Sequence, residues 1–400
     1  MTSPLFSHAD TNRVTVSLGS LLSPVAPFNK VLLIDTFANS SLAGFGDEVS
    51  LGTASTKYVE LGALADATAA NTASAGSVGT ALLADLTGAF SHSRAPDSIG
   101  VLSVDRADGG NGVDTYAAAI SLLVNAGYND FYCVIPVSHV LADIVDILEG
   151  VMAVASASRP RIVFAQTAVS TSYGSTAGWD AALVNSSAAA PSTAAKERLV
   201  MCYHADTQPC AVGYATWGFG YDPDTRSLSW RFENPAVADV TLPSGVSATT
   251  FKQNLRGVPG TDLGNEINVP LPYGASTTWM DPGVTQTGRA IYSVIAADWF
   301  QARLEERLAT LVTAHAPNKV PMSKSGQALI LQEIEQLYSQ GVAAGHFLSR
   351  ADATDQGLTV TIRAETITST DRSLRRLRFT VAIPVLHDAR VLAIDVTITE

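Results

Sequence analysis

The sequence lacks the features that mark disulfide-rich secreted proteins and membrane proteins. Cysteine is sparse, because the 400 residues include only Cys133, Cys202 and Cys210, an odd set that makes no disulfide framework. No apolar run reaches the length of a membrane span, and the first residues have neither the basic nor the apolar region of a signal peptide. We therefore expect a chain that is made and assembled in the cytosol, with no membrane insertion.

Positive charge is also scarce. The chain has 25 Lys and Arg against 37 Asp and Glu, a net charge of −12, which argues against a nucleic-acid partner. Residues 1–285 contain 25 acidic and 13 basic residues, whereas 286–400 contain 12 of each. Within the second part, "RSLRRLR" (372–378) is basic. It is either a solvated edge strand protected by charge or a contact for an acidic partner surface.

Motifs of catalysis are missing as well. The sequence has no P-loop, HExxH, G-x-S-x-G or CxxC motif. The most enzyme-like segment is "VDRADGGNGVD" (104–114), but its glycines do not match G-x-G-x-x-G and its aspartates would repel a phosphate. Asp114 is better explained as a helix N-cap. We predict no catalytic residue, no cofactor and no enzyme activity.

One segment has the residue types of a metal site. "CYHADTQPC" (202–210) contains two cysteines and His204, but the spacing fits no zinc pattern and no fourth ligand is evident. Small buried cysteines at the end of a strand explain the segment better than a metal or a disulfide.

Short apolar runs alternate with helical segments from residue 29 to about 210. This order indicates a largely parallel, Rossmann-like sheet with helices on both faces. We expect irregular structure at 38–77 and 170–197. The strands are predicted at 30–37, 99–105, 130–137, 161–168 and 198–205, with helices at 78–90, 114–126 and 139–155 and a weaker one at 178–185.

The remainder of the chain changes character twice. From 211 to 285 the pattern is weak, with a turn between two strands at 221–230 and irregular structure over 234–285. From 286 the sequence predicts an α+β module. Its elements are a helix at 289–314, a helix at 324–345 with Ser323 as N-cap and Gly345 as C′ residue, and strands at 358–368, 376–386 and 391–399.

Both ends of the chain are short alternating strands. The pattern places apolar side chains on one face and polar ones on the other, as in a half-buried strand. Strands of this kind suit addition to a sheet edge of another molecule. The residues are Arg13, Val14, Val16 and Leu18 at the amino end, and Leu392, Ile394, Val396 and Ile398 at the carboxyl end.

Several short motifs follow one another in the last third of the chain. Asp298-Trp299 enters a long helix that also contains Gln301 and Arg303, and a Pro-x-Ser-x-x-Gly turn (321–326) opens a helix that ends at Gly341…Gly345. With "SLSWRFENPAVADVT" (227–241) and "TTWMDPG" (277–283), this order resembles the contractile-tail sheath proteins of bacteriophages. The specific resemblance covers the last third of the chain and 211–241.

The resemblance implies a structural protein rather than an enzyme. Such sheaths stack as six-subunit rings around a tail tube, and contract to drive the tube through a cell envelope. We therefore expect a helical homopolymer in the virion, assembled in the bacterial cytoplasm, with a tail tube, a baseplate and a tail terminator as partners. The implied division is an N-terminal arm with a linker strand (1–28), an outer α/β domain (29–285), an inner C-terminal sheath domain (286–389) and a C-terminal arm (390–400). The outer domain has irregular insertions but no large inserted outer domain, and the terminal strands are exchanged between subunits.

The tube-facing residues are not given by the resemblance. Lys319 and Lys324 flank the start of the second helix and Glu333 lies on it, so these three are our candidates; ordinary surface charge explains them equally well. Two other functions stay open. The chain could be the sheath of a phage-derived injection machine, or a cytosolic α/β ligand-binding enzyme, which rests on the sheet alone.

Overall fold

A nine-stranded sheet forms the centre of the computed structural model. Its strand order is β2-β3-β4-β1-β5-β6-β7-β8-β9, and the six central strands from β4 to β8 run parallel. The strands are β1 (Val31–Asp35), β2 (Val49–Ser50), β3 (Thr56–Leu61), β4 (Ile99–Val104), β5 (Cys133–Pro136), β6 (Ile162–Thr167), β7 (Leu199–Tyr203), β8 (Ile267–Tyr273) and β9 (Thr277–Asp281). The predicted largely parallel sheet is confirmed.

Helices cover both faces of this sheet, and a smaller sheet follows. The structure describes residues 28–35, 49–51, 56–73, 80–91, 96, 98–104, 115–155, 159–168, 192–204, 208–231, 247, 250–251, 266–273, 277–315, 320–373 and 376–386. The helices are α1 (Leu64–Ala73), α2 (Thr80–Phe90), α3 (Tyr116–Asn125), α4 (Leu141–Val154), α5 (Thr193–Lys196), α6 (Cys210–Phe219), α7 (Ile291–Ala314), α8 (Lys324–Ala343), α9 (Arg350–Asp355) and α10 (Ser369–Ser373). Strands β10 (Thr361–Ala364) and β11 (Phe379–Ala382) pair antiparallel.

Strand β1 shows how the sequence divides the core. All five of its residues are buried, and successive side chains point to opposite faces. Leu33 packs into the apolar cluster that contains α2, α6, α7 and α8, whereas Leu32 and Ile34 pack into the cluster that contains α3 and α4. We call these the α7 face and the α4 face. The near-continuous apolar strands follow from burial on both sides.

The expectation of irregular structure at 38–77 is wrong for the part that is described. Strand β3 pairs antiparallel with β4, and α1 follows it. Helix α1 is rich in alanine, most of its described side chains are exposed, and it has no apolar stripe. Its sequence therefore shows little of the hydrophobic periodicity that predicts a helix.

The expectation for 211–285 is also wrong in three places. Helix α6 was missed because nine of its residues are buried, so its sequence is apolar all round. Strands β8 and β9 were missed because Pro270 and Pro272 argue against a strand. The predicted hairpin at 221–230 contains no strand; it is a turn and an irregular segment.

Smaller corrections concern helix ends. The N-cap of α3 is Thr115, whose hydroxyl accepts from the Ala118 amide at 3.2 Å, and not Asp114, which lies outside the described residues. The predicted strands 358–368 and 376–386 shorten to β10 and β11, and α10 lies in the connection between them. Segment 105–114 and the predicted helix at 178–185 also fall outside the described residues.

The buried cysteines agree with the sequence interpretation. Cys133, Cys202 and Cys210 are free and fully buried, and burial raises the pKa of the Cys133 and Cys202 thiols. Cys210 Sγ lies 3.9 Å from Met280 Sδ. No group of three metal-ligating His, Cys, Asp or Glu side chains occurs in the described ranges.

Candidate intersubunit interface

Helices α7 and α8 form the base of the C-terminal module. The amphipathic stripe of α7 buries Trp299, Phe300 and Leu304 against the sheet and α8. Ser323 is the N-cap residue of α8, although its hydroxyl contacts Ser325 rather than a backbone amide. Gly345 has φ +80° directly after the C-cap, which confirms it as the C′ residue.

Gly326 marks a close approach at the start of α8. A Cβ atom at this position would lie 1.9 Å from the carbonyl oxygen of Pro321. Alanine has a higher helix propensity than glycine, so this substitution would stabilise α8 if there were room for the methyl group. The clash outweighs that gain, and we expect Gly326→Ala to lower the free energy of unfolding by about 2 kcal/mol. Urea titration would measure it, and Gly62→Ala is the matched control, since a Cβ there meets no atom within 4 Å. Equal stability of both variants would contradict the expectation.

Two polar networks fix α7 to the rest of the subunit. Buried Asp298 accepts a hydrogen bond from the Tyr132 hydroxyl at 2.7 Å and an ion pair from Arg198. Burial lowers the pKa of Arg198, but the facing carboxylate more than offsets this and the net shift is upward. Asp224 receives the Trp299 indole N–H at 2.6 Å and two bonds from Arg303 at 2.7 Å. The module is therefore held by charged groups as well as apolar packing.

The sheet of β10 and β11 covers this helical pair with one apolar face. Ile362 lies opposite Val381, and Ala364 opposite Phe379. The apolar side chains are only partly buried although they pack against the α7-face core. They are Val360, Ile362, Phe379, Val381, Ile383 and Val385.

The edges of this small sheet are open among the described residues. It contains only two strands there, and a two-stranded sheet is marginal without further strands or packing. Beyond β11 the chain pairs with the segment that follows α8: the Leu348 amide donates to the Pro384 carbonyl at 3.1 Å, and the Leu386 amide to the His346 carbonyl at 3.0 Å. Residues 387–400 follow this paired segment, and the nearby small sheet presents edges that can accept another strand.

A buried carboxylate orders the connection between β10 and β11. Asp371, 2% exposed, accepts bonds from Thr368, from Arg376 Nε at 2.8 Å and from Arg378 Nε at 3.0 Å. These donors hold the pKa of Asp371 far below its usual range. Two arginines of the basic cluster 372–378 therefore have an internal structural role, which sequence reasoning missed because the partner is set by the turn.

His346 lies where the module meets the 221–231 segment. Its ring stacks on Trp299 at 4.9 Å, and Nε2 donates to the Pro223 carbonyl at 2.7 Å. Nδ1 is buried and has no hydrogen-bond partner among the residues that the structure describes. Burial lowers the pKa of His346, against the opposing effects of Pro223 and Asp224.

This histidine gives an acid-sensitive contribution to stability. In the folded protein the buried ring stays neutral, whereas in the unfolded chain it binds a proton below pH 6.5, the ordinary pKa of histidine. Stability therefore falls as the pH drops below 6.5. We expect His346→Gln to reduce the fall in Tm between pH 7 and pH 5, measured by calorimetry. His139→Gln is the comparison, because burial also lowers the pKa of His139 outside the module. An unchanged Tm slope in His346→Gln would contradict the assignment.

The tube-facing candidates predicted from the sequence occupy different surroundings in the structure. Lys324 is exposed at the start of α8, and Glu333 pairs with Arg307 of α7 at 3.2 Å. Lys319 lies outside the described residues, as do all the residues of the terminal strands: Arg13, Val14, Val16, Leu18, Leu392, Ile394, Val396 and Ile398.

Comparison with known proteins identifies the class of fold. No family model and no curated protein sequence matches the chain. Among solved structures, the helical sheath of the anti-feeding prophage in its contracted state matches with a TM-score of 0.53 and 11% identity, over 99% of each chain. The chain therefore has the fold of a contractile sheath subunit, and the resemblance seen in the sequence is confirmed at the level of fold. No described helix is long and apolar enough to cross a bilayer.

Proposed function

We propose that this protein is the structural subunit of a contractile tail sheath. It polymerises as stacked six-subunit rings around a tail tube and contracts to drive the tube through the target cell envelope. The observation that supports this most is the fold match along 99% of both chains to a helical sheath. The open-edged sheet of β10 and β11 adds independent support, since an edge of this kind can join one subunit to the next.

The terminal strands are the proposed connectors. Strands 13–18 and 391–399 add to the β10–β11 sheets of neighbouring copies, where backbone hydrogen bonds provide affinity and the alternating side chains set the register. The partly buried apolar face of the small sheet favours this, because the alternating apolar side chains of added strands would extend that face. Contacts of this head-to-tail kind build open helices rather than closed dimers.

The other proposed roles follow from the same arrangement. Residues 1–28 and 390–400 act as arms, 29–285 as the outer domain and 286–389 as the inner domain beside the tube. Lys319, Lys324 and Glu333 contact the tube, and Lys324 is exposed at the start of α8. The partners are the tube, baseplate and terminator proteins, and the location is the virion after assembly in the bacterial cytoplasm. The role is structural and not enzymatic.

A second candidate differs only in what is delivered. The structural neighbour is described as part of a prophage, which favours a phage-derived injection machine over a phage that ejects its genome. The α/β enzyme has no such support, because it rests on the sheet alone and a sheet of this kind does not specify a function.

Negative-stain electron microscopy of the purified full chain tests the proposal. We expect hollow tubes or rings at micromolar concentration. A protein that stays strictly monomeric across a wide range of concentration and salt would contradict it. For the enzyme alternative, saturable ligand binding that is lost on changing Gly109, Gly110 and Gly112 would be required.

A further inference from the structure

The outward face of the β10–β11 sheet is cationic and ordered. Arg363 of β10 lies opposite Thr380, and just beyond the ladder the Glu365 amide donates to the Arg378 carbonyl at 2.9 Å. Arg378 pairs with Glu365 at 3.0 Å and with Asp371, and Arg376 also pairs with Asp371. These ion pairs fix the two guanidinium groups in place while leaving their side chains 42% and 50% exposed.

Two further arginines, Arg363 of β10 and Arg372 of α10 in the connection, have no compensating charge among the described residues. Arg363 and Arg372 are exposed, and neither makes an ion pair with a described residue. The region therefore has more positive than negative charge: two carboxylates, Glu365 and Asp371, stand against four arginines, Arg363, Arg372, Arg376 and Arg378. We call these four arginines the cationic face. It stands out in a chain with a net charge of −12.

The opposite charge lies on α4. Asp143, Asp146 and Glu149 follow one another at intervals of three residues, which places them on one side of the helix. Neither α3 nor α4 contains a Lys or Arg. Asp143 accepts a hydrogen bond from the Ser138 hydroxyl, and Asp146 accepts one from the Tyr116 amide. Glu149 is exposed and has no structural partner among the described residues. We call these three residues the acidic ridge.

The cationic face and the acidic ridge cannot meet within one subunit. The β10–β11 sheet packs on the α7 face of the central sheet, whereas α4 packs on the opposite face. Two complementary surfaces on opposite sides of one molecule make a heterologous contact, which propagates into an open filament. Complementary charge of this kind also sets the register and suppresses wrong contacts.

We propose that the cationic face binds the acidic ridge of a second copy of this chain. This contact is separate from strand exchange, because it uses side chains on the sheet face rather than backbone at its edge. It rests on the proposed polymerisation, and it makes assembly depend on salt, since exposed charges are screened over about 10 Å at 0.1 M ionic strength.

Reciprocal charge reversal tests the pairing. We expect Arg363→Glu with Arg372→Glu to raise the critical concentration for polymerisation about tenfold at about 50 mM salt, because attraction becomes repulsion at two exposed positions. The effect should shrink to about twofold at about 0.5 M salt. Adding Glu149→Arg to these changes should recover at least about threefold of the loss. Pelleting assays measure all three, and circular dichroism verifies the fold.

The controls separate the possible failures. Arg363→Lys with Arg372→Lys keeps the charge and should polymerise as the wild type does. If the wild type itself does not polymerise, the proposed function fails. If the wild type polymerises and the doubly reversed variant matches it, the cationic face is no interface and this inference alone is overturned. Weakening without recovery by Glu149→Arg overturns the assignment to α4 and indicates another acidic surface on the neighbouring copy.

Discussion

Removal of residues 390–400 is expected to abolish polymerisation and leave a folded, soluble subunit. Each subunit would lose several backbone hydrogen bonds of an exchanged strand, at about 1 kcal/mol each, together with its apolar contacts. A loss of about 3 kcal/mol raises the critical concentration about 100-fold. Sedimentation and electron microscopy would measure assembly, and far-UV circular dichroism would measure the fold.

The same deletion distinguishes an exchanged strand from an internal one. If 390–400 pairs within its own chain, its loss should lower the Tm of the C-terminal module and expose the apolar side of β11. A matched pair of substitutions sharpens the result: Leu392→Ser with Ile394→Ser alters the apolar face, whereas Thr397→Ser with Thr399→Ser alters the polar face. Only the first pair should impair assembly. Equal effects would contradict the predicted register.

Replacement of Asp298 by alanine is expected to destabilise the subunit by about 3–5 kcal/mol. The change leaves the Arg198 guanidinium without its counter-charge and the Tyr132 hydroxyl without its acceptor, at a site where Asp298 is 2% exposed. Denaturant unfolding, below the polymerisation concentration, would measure it.

Two controls define the origin of this effect. Asp298→Asn keeps an oxygen acceptor for Tyr132 and should cost less than alanine. Asp224→Ala breaks the other network that holds α7, but this carboxylate is 40% exposed, so the loss should be smaller, about 1 kcal/mol. A loss below 1 kcal/mol in Asp298→Ala would show that α7 is held by apolar packing alone.

The sequence was informative where local pattern and packing agree. The long helices were predicted within two residues of α7 and α8, because each has an apolar stripe, and Gly345 ends α8 as a glycine with positive φ. Five of the six parallel strands, all except β8, were predicted because burial on both faces makes them apolar throughout.

It failed where tertiary context overrides the local pattern. Helix α6 has no polar side to reveal its period, because the sheet and Trp230 enclose it; a Cβ on Gly218 would lie 2.1 Å from the Trp230 ring. Strand β8 was missed because its prolines argue against a strand; it accommodates them because it lies next to the edge strand β9.

The candidate interface was only partly accessible from sequence. Alternation suggested the strands of the small sheet, and charge counting singled out the cluster at 372–378. Arg376 and Arg378 bind Asp371, whereas Arg363 and Arg372 have no ion pair in the described part of the chain. This difference depends on how α10 folds back, which no spacing rule gives. The placement of the acidic ridge behind the central sheet likewise required the topology.

Cryo-electron microscopy of the assembled full-length chain, with helical reconstruction, tests the central claim most directly. We expect a hollow tube of stacked six-subunit rings, in which the β10–β11 sheet of each subunit gains strands whose density traces to residues 13–18 and 391–399 of neighbouring subunits. A tube in which these strands return to their own subunit would contradict strand exchange, and particles that never form a hollow helical assembly would contradict the sheath function itself.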